Sequence, residues 1–143
     1  MLTICTALER RSAVEAKLLN LMSWRAGLLL SGCFDALANE NLFPYAVYCG
    51  DRLMPLTTRL EMLAALEALH LRLTAVGARR LQPRITTLGL PRGKQQRIWV
   101  DWEATLQDGS RQVVARTVEY LRDTGEGLRG EMTEYTCLLR QAA

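Results

Sequence analysis

The stretch RTVEYLRDTGEGLRGEMTEYT, residues 116–136, has the pattern of two strands joined by a glycine-bearing loop. It belongs to the second half of the chain, where apolar residues recur at every second position instead of at helical spacing. This pattern predicts four successive strands, near residues 80–90, 96–107, 111–122 and 129–139. Their connections are short, so we expect an antiparallel meander. Glutamates fall on both alternating faces of the last hairpin, so carboxylates are expected on the side that packs against the helices.

The register of the first of these hairpins follows from its turn. Asp108-Gly109 favours a two-residue loop, which places Ile98 opposite Glu119. The side facing the helices then carries four pairs: Ala104–Val113, Trp102–Ala115, Val100–Thr117 and Ile98–Glu119. The outer side pairs Asp101 with Arg116 and Trp99 with Val118. Opposite charges directly across a hairpin favour this register.

The second hairpin is predicted from a four-residue loop at 124–127. This loop pairs Glu119 with Met132 and Thr117 with Glu134, so both glutamates point toward the helices. The residues on the opposite side are then Glu131, Thr133 and Tyr135. A shift of one residue would exchange the two faces of the last strand.

Inward glutamates need an explanation, because burying an unpaired carboxylate is costly. Glu119 and Glu134 therefore imply a wet cavity, a cationic partner such as Arg25, or a functional acid–base pair. The alternative is a position at the rim of the sheet, where both carboxylates are solvated or paired with an arginine.

The helices are marked by their caps. Ser12 and Glu15 fit a capping box and predict the start of the first helix. A short second helix is expected at 33–39. Thr58 and Glu61 form another capping box at the start of the clearest helical pattern in the chain, which ends at Gly77. Between the last two helices, strand residues 45–49 turn at Gly50-Asp51 into residues 52–54.

Length and composition indicate one domain spanning residues 1–143. An apolar fraction of 49% and a charged fraction of 23% are typical of soluble globular proteins. The formal net charge of +3 is too small to argue for a nucleic-acid partner. A basic run over residues 79–97 lacks aromatic side chains for base stacking, so we interpret it as a solvated rim rather than an anion-binding groove.

Several other classes of site are not indicated. The four cysteines show no CxxC spacing and His70 is the single histidine, so we expect no metal site and no cofactor. Reduced cysteines predict a cytoplasmic protein. The most apolar segment, near residues 18–32, is interrupted by Asn20 and Arg25 and is too short to cross a bilayer. We therefore expect no membrane association.

The order of elements resembles the NTF2-like superfamily, also called the SnoaL-like or cystatin-like α+β fold. The resemblance rests on GCFDALA (32–38), FPYAVYCGDRL (43–53), WVDWEATLQDGS (99–110) and the hairpin quoted above, and it spans about residues 12–139. It implies a cone in which three helices pack on a curved antiparallel sheet around a pocket. It also implies a homodimer through the outer sheet face, here Trp99, Val114, Val118, Tyr120 and Tyr135.

Two functions remain open at this point. Enzymes that the chain resembles place an acid–base carboxylate on the late strands, which would make Glu119 or Glu134 the general base of an isomerase, hydratase or hydrolase. The expected pocket residues are Trp24, Arg25, Phe34, Tyr48, His70, Trp102, Thr117 and Met132. Most of these side chains are equally consistent with ordinary core packing. The sequence therefore favours the other function, a dimeric scaffold or a protein that binds a small apolar ligand.

Overall fold

The computed structural model describes residues 2–138, with side chains for residues 6–137. The described elements are α1 (Leu2–Leu30), α2 (Phe34–Ala38), β1 (Asn41–Cys49), β2 (Arg52–Leu56), α3 (Arg59–Ala75), β3 (Ala78–Leu88), β4 (Gln95–Leu106), β5 (Arg111–Asp123) and β6 (Leu128–Leu138). The predicted order of helices, small hairpin, long helix and four strands is confirmed. None of the described helices is long and apolar enough to cross a membrane.

The strands form one sheet in the order β2-β1-β6-β5-β4-β3. The four last strands make the predicted antiparallel meander. The sheet is mixed rather than antiparallel throughout, because β1 pairs with β6 in parallel. This pairing places Ala46 beside Met132 and Tyr48 beside Glu134. It brings the first hairpin of the chain against the last strand, so that residues of β1 and β6 lie side by side in the sheet.

The first helix begins at Leu2, so the capping box predicted at Ser12 and Glu15 is wrong. Both residues lie inside α1, whose side chains from 6 to 17 are all exposed. This stretch is rich in Ala, Glu, Arg and Leu, which have high helix propensity and allow the helix to continue past the predicted start.

The third helix has the predicted ends. The Thr58 hydroxyl accepts a hydrogen bond from the Glu61 backbone N–H at 3.2 Å. Gly77 follows the helix with a φ of 78°, a conformation that glycine adopts without steric cost. The capping signals here correctly predicted both boundaries of the helix.

The β4–β5 hairpin has the predicted register over most of its length, with Ile98 opposite Glu119 and Trp102 opposite Ala115. Beyond Trp102 a bulge shifts the pairing, so that Ala104 lies opposite Gln112 rather than Val113. The residue that the bulge inserts is Val114. It packs inward against Leu73 and Ala104, so its predicted place on the outer face is wrong.

The β5–β6 hairpin departs from the predicted register at a second bulge. Next to the loop, Asp123 lies opposite Leu128, as predicted. Leu121 then lies opposite Gly130 and Tyr120 opposite Met132, which leaves Glu131 as the extra residue. The side chains of β6 from Met132 to Tyr135 are therefore on the face opposite to the prediction, and a further shift leaves Thr136 as another extra residue. The residues now facing Thr117 and Glu119 are Tyr135 and Thr133.

The helices cover one face of the sheet through three groups of buried side chains. One joins α2 and α3 to β1 around Ala38 and Met62. The second packs Leu18 and Met22 of α1 against Ile98 and neighbouring strand residues. The third joins the end of α3 to β4 and β5. These groups surround an interior space that they do not fill.

Candidate functional site

A cavity of about 390 Å³ lies between the helices and the sheet. Its volume is within the range of small-molecule sites in proteins. The lining is mostly apolar and includes Met22, Leu29, Val47, Leu66, Leu69 and Val114. Polar groups are concentrated on the wall formed by β1, β5 and β6. This combination of an apolar body and a few convergent polar groups is typical of a ligand site.

Glu119 is the central polar residue of this wall. The side chain is half-buried and lines the cavity. The Thr117 hydroxyl donates to its Oε1 at 2.9 Å, and the Thr133 hydroxyl donates to its Oε2 at 2.6 Å. Behind them, Trp102 Nε1 donates to Thr117 Oγ1 at 2.9 Å, and the Tyr45 hydroxyl lies 2.5 Å from Thr133 Oγ1. Both carboxylate oxygens are therefore satisfied by neutral donors.

The direction of these hydrogen bonds follows from proton counting. A threonine hydroxyl has one proton, and Thr133 gives it to Glu119, so the Tyr45 hydroxyl donates to Thr133. A protonated Glu119 could instead donate to Thr133, whose own proton would then turn toward the Tyr45 oxygen. The Tyr45 hydroxyl proton would be released from this bond. The charge of the carboxyl group thus controls whether Tyr45 is a free donor.

Burial and the neighbouring groups shift the pKa of this carboxyl group in opposite directions. Burial raises the pKa of Glu119, and the Thr133 hydrogen bond, the Arg25 charge and the Thr117 hydrogen bond offset part of that rise. Burial also raises the pKa of Tyr45, and the nearby Glu119 charge acts in the same direction. Tyr45 is therefore a neutral hydrogen-bonding group at physiological pH, and Glu119 is the acidic group of this wall.

Arg25 brings a positive charge to the same cavity. Its Nη2 donates to Asn41 Oδ1 at 2.6 Å and its Nη1 donates to the Glu40 carbonyl at 3.3 Å. No carboxylate of the described residues lies within 4.0 Å of this guanidinium. Gly130 makes room for the pair, since a Cβ there would overlap Asn41 Oδ1 and lie 3.2 Å from Arg25 Nη2. The site thus holds a cation and a carboxylate without a direct ion pair.

Tyr135 is a site residue that sequence reasoning missed, since it was expected on the outer face. The bulge at Glu131 turns it inward, where it lines the cavity. Its hydroxyl makes no hydrogen bond with the part of the chain that the structure describes. The available signal was Gly130, because a glycine inside a strand often marks a bulge.

Four of the residues predicted for the site line the cavity: Arg25, Trp102, Thr117 and Glu119. Three of the helical predictions do not. Trp24 is 49% exposed, because one residue along a helix turns the side chain by about 100° from Arg25. Phe34 and His70 pack edge to face at 5.5 Å outside the cavity. His70 Nδ1 also lies 2.9 Å from the Leu29 carbonyl, so this ring has a structural role.

Three further predictions lie on the outer face of the sheet. Met132 and Glu134 are turned outward by the bulge, so the prediction that both glutamates point into the interior is wrong for Glu134. Tyr48 lies beside Glu134, since Tyr45 and Val47 are the strand residues that face the cavity. The pairing of Glu119 with a second inward glutamate therefore does not occur.

Three of the five residues predicted for a dimer interface lie on the outer face of the sheet. Trp99 and Val118 are directly opposite each other there, and Tyr120 is the next outward residue of β5. Arg97 lies over the Trp99 ring at 5.6 Å. Val118 is already 3% exposed within the single chain, so it offers little surface to a partner. The two other predicted interface residues, Val114 and Tyr135, line the cavity instead.

No family model matches the sequence, and no curated protein is significantly similar to it. Solved structures are similar in fold. An NTF2-like protein with a cystatin-like fold from Novosphingobium aromaticivorans is 19% identical, with a TM-score of 0.59 over 100% of this chain and 93% of the other. A cystatin-like domain from Nostoc punctiforme is 14% identical, with a TM-score of 0.65 over 90% and 80%.

A third similar structure, also from Novosphingobium aromaticivorans, is provisionally described as an aromatic ring hydroxylase. It is 16% identical, with a TM-score of 0.58 over 89% of this chain and 92% of the other. At these identities the likeness concerns the fold alone. The predicted NTF2-like, cystatin-like α+β fold is thereby confirmed.

Proposed function

We propose that this chain, which has the NTF2-like fold, binds a small and largely apolar molecule in its interior cavity. The observation that carries the proposal is an apolar space of about 390 Å³ with one hydrogen-bonded carboxylate on its wall. An empty apolar cavity of this size lowers stability, because its lining forgoes packing contacts. An apolar ligand inside the cavity would restore those contacts.

The binding test fills the cavity from α3. Ala65 lines the cavity, whereas its neighbour Ala64 is exposed and does not. Ala65→Phe should weaken binding of the neutral dye N-phenylnaphthylamine by about tenfold or more, because the new ring occupies the dye's space. Ala64→Phe, the matched control, should bind like the wild type. Dye fluorescence measures both, and equal binding by the two variants would contradict an interior site.

A second candidate function is catalysis, with Glu119 as general acid or base for isomerisation, hydration or hydrolysis of the bound molecule. The supporting observation is the set of neutral donors around a carboxyl group whose pKa burial raises, an arrangement suited to proton exchange. Glu134 is not part of this candidate, since its side chain does not line the cavity.

The two functions differ in what Glu119→Gln should do. A glutamine reproduces the hydrogen-bond pattern of the protonated acid, so dye affinity should stay within about twofold under both functions. Turnover of ligands found in a binding screen should be lost only if Glu119 is catalytic. Glu134→Gln is the control for a carboxylate outside the cavity and should keep turnover. Equal turnover by all three proteins would contradict the catalytic candidate.

We also propose a homodimer through the outer face of the sheet. Support comes from Trp99, Tyr120 and Met132, which are partly exposed apolar side chains on that face. Partly exposed aromatic residues are enriched in protein interfaces. Tyr120→Lys should convert the dimer to a monomer in light scattering, whereas Glu126→Lys in the exposed β5–β6 loop should not. A wild-type mass equal to that of one chain would contradict the dimer.

A further inference from the structure

The position of the cavity's opening follows from the lining residues that are exposed to solvent. Among the lining residues, Met54 of β2 and Ala68 and Arg72 of α3 are exposed. The polar wall opposite is enclosed, with Thr117 and Thr133 both buried. A ligand therefore enters between β2 and the second half of α3, and its last atoms to enter lie beside Arg72.

Arg72 is the charged group of this opening. Its guanidinium makes no hydrogen bond and no ion pair with the described part of the chain. By contrast, Arg122 and Arg129, which lie away from the cavity, contact carboxylates at 2.7 Å and 3.1 Å. Arg72 thus presents its donors at the mouth of an apolar cavity without a partner from the protein.

Tyr135 supplies a second group that lacks a partner at this side of the cavity. Its hydroxyl is not bonded within the described residues, yet no fully buried polar side-chain atom among them lacks a partner. The hydroxyl must therefore reach the cavity space. Tyr135 lies beside Cys49, two residues along β1 from Val47, and Val47 lies opposite Met54 of the opening. Burial raises the pKa of Tyr135, and the charge of Arg72 offsets part of that rise. Tyr135 is thus an O–H donor on the side of the cavity where Met54 and Arg72 reach solvent.

The charge balance of the lining is unequal. Arg25 and Arg72 are its cationic side chains, and Glu119 is its single carboxylate. Both oxygens of Glu119 already accept hydroxyl protons, and two donors of Arg25 are already used on Asn41 and Glu40. The hydrogen-bond donors of the lining that have no acceptor within the described residues are therefore those of Arg72 and Tyr135. Such donors favour a negatively charged acceptor.

We propose that the ligand is an amphipathic anion, an apolar body with one carboxylate that Arg72 and Tyr135 bind at the opening. This inference rests on the proposed binding function. The apolar body fills the interior, where the lining gives it packing contacts. The acid group stays at the rim, where it keeps part of its hydration and avoids the cost of full burial. A cation and a hydroxyl together satisfy the two oxygens of a carboxylate.

The test compares an acid with its neutral counterpart of the same shape. Octanoate and octanamide compete against bound N-phenylnaphthylamine, and dye fluorescence gives both affinities. For the wild type, octanoate should bind about tenfold more tightly than octanamide, because hydrogen bonds to a charged group are the stronger ones. In Arg72→Gln this preference should fall below about twofold, mainly because octanoate binds more weakly. Tyr135→Phe should reduce the preference in the same direction.

Arg79→Gln is the matched control, since Arg79 is an exposed arginine that does not line the cavity. It should keep the full preference for octanoate. Three results would each overturn the inference: equal affinities of the wild type for acid and amide, no displacement of the dye by octanoate, or a preference that survives Arg72→Gln. In each of these cases, binding of the dye itself would still support the proposed function. A preference lost in Arg25→Gln instead would overturn the assigned position of the acid. Absence of dye binding by the wild type would overturn both.

Discussion

Glu119 and Glu131 belong to the same hairpin, but their carboxylates have different kinds of partner. Glu119 faces the cavity and accepts from two threonine hydroxyls. Glu131 faces outward, where Arg122 contacts it at 2.7 Å and Gln95 donates a further hydrogen bond. At Glu119, burial raises the pKa of the carboxyl group, and the hydrogen bonds from the two threonines offset only part of that rise.

The difference shows what each face of the hairpin contributes. On the outer face, charge pairing holds the bulged residue in place at small energetic benefit, because water competes for both partners. On the inner face, the absence of an ion pair leaves a carboxyl group whose buried charge is unfavourable for stability. The outer face of the hairpin thus carries an ion pair that contributes to stability, whereas the inner face carries the carboxyl group that is available to a ligand.

The largest effect is expected from removing the hydroxyl of Thr133. Thr133→Val keeps the shape of the side chain but leaves Glu119 Oε2 and the Tyr45 hydroxyl without their partner. The loss should lower the free energy of unfolding by about 3 kcal/mol, since two enclosed polar groups become unsatisfied. Urea denaturation measures this change. Thr87→Val, an exposed residue on β3, is the control and should change stability by less than about 0.5 kcal/mol.

A comparable effect is expected at Gly130. Gly130→Ala places a Cβ against Asn41 Oδ1 and Arg25 Nη2, so this pair must move. The expected loss is about 2 kcal/mol, typical of overpacking in an ordered interior. Gly27→Ala is the matched control on α1, where a Cβ meets no atom within 4 Å. It should stabilise the protein by up to about 1 kcal/mol. Thermal unfolding measures the stability of both variants. A loss of stability in Gly27→Ala, or no loss in Gly130→Ala, would contradict the packing described.

The titration of Glu119 predicts a pH dependence of stability. Its folded pKa is raised above the ordinary value of 4.5, so the folded state binds more protons than the unfolded state between the two pKa values. This residue's contribution to the free energy of unfolding is full below 4.5 and is lost as pH rises through the folded pKa, with a slope of at most about 1.4 kcal/mol per pH unit. The stability of the wild type minus that of Glu119→Gln should fall over this window.

Thr87→Val provides the comparison, because this substitution removes no titratable group. The same subtraction with this variant should give a line without that slope. A flat difference for Glu119→Gln, measured by urea denaturation at a series of pH values, would show that the enclosed carboxyl titrates as it does in the unfolded chain.

The smallest effect is expected at Glu131. Glu131→Gln removes the charge that pairs with Arg122 but keeps the side-chain shape. The loss should be about 0.5 kcal/mol and should shrink in high salt, because the pair is partly exposed and screened. A loss larger than that of Thr133→Val would reverse the comparison between the two faces.

The sequence by itself determined the elements and much of one hairpin. Thr58 and Gly77 gave the ends of α3 because caps act within a few residues. Alternation of apolar residues gave the four strands, and the pairing of Ile98 with Glu119 was correct. Glu119 was therefore placed on the inner face from sequence alone. These are local properties, which neighbouring residues are sufficient to specify.

The tertiary structure decided which residues join Glu119. The bulge at Glu131 reverses the faces of β6, and alternation could not reveal it because β6 has polar residues on both faces. The parallel pairing of β1 with β6 brings Tyr45 to the site. The close contact of Gly130 with Asn41 and Arg25 depends on residues far apart in the chain. A single inserted residue reverses the side chains that follow it up to the next register shift, and only packing across the whole fold selects where it occurs.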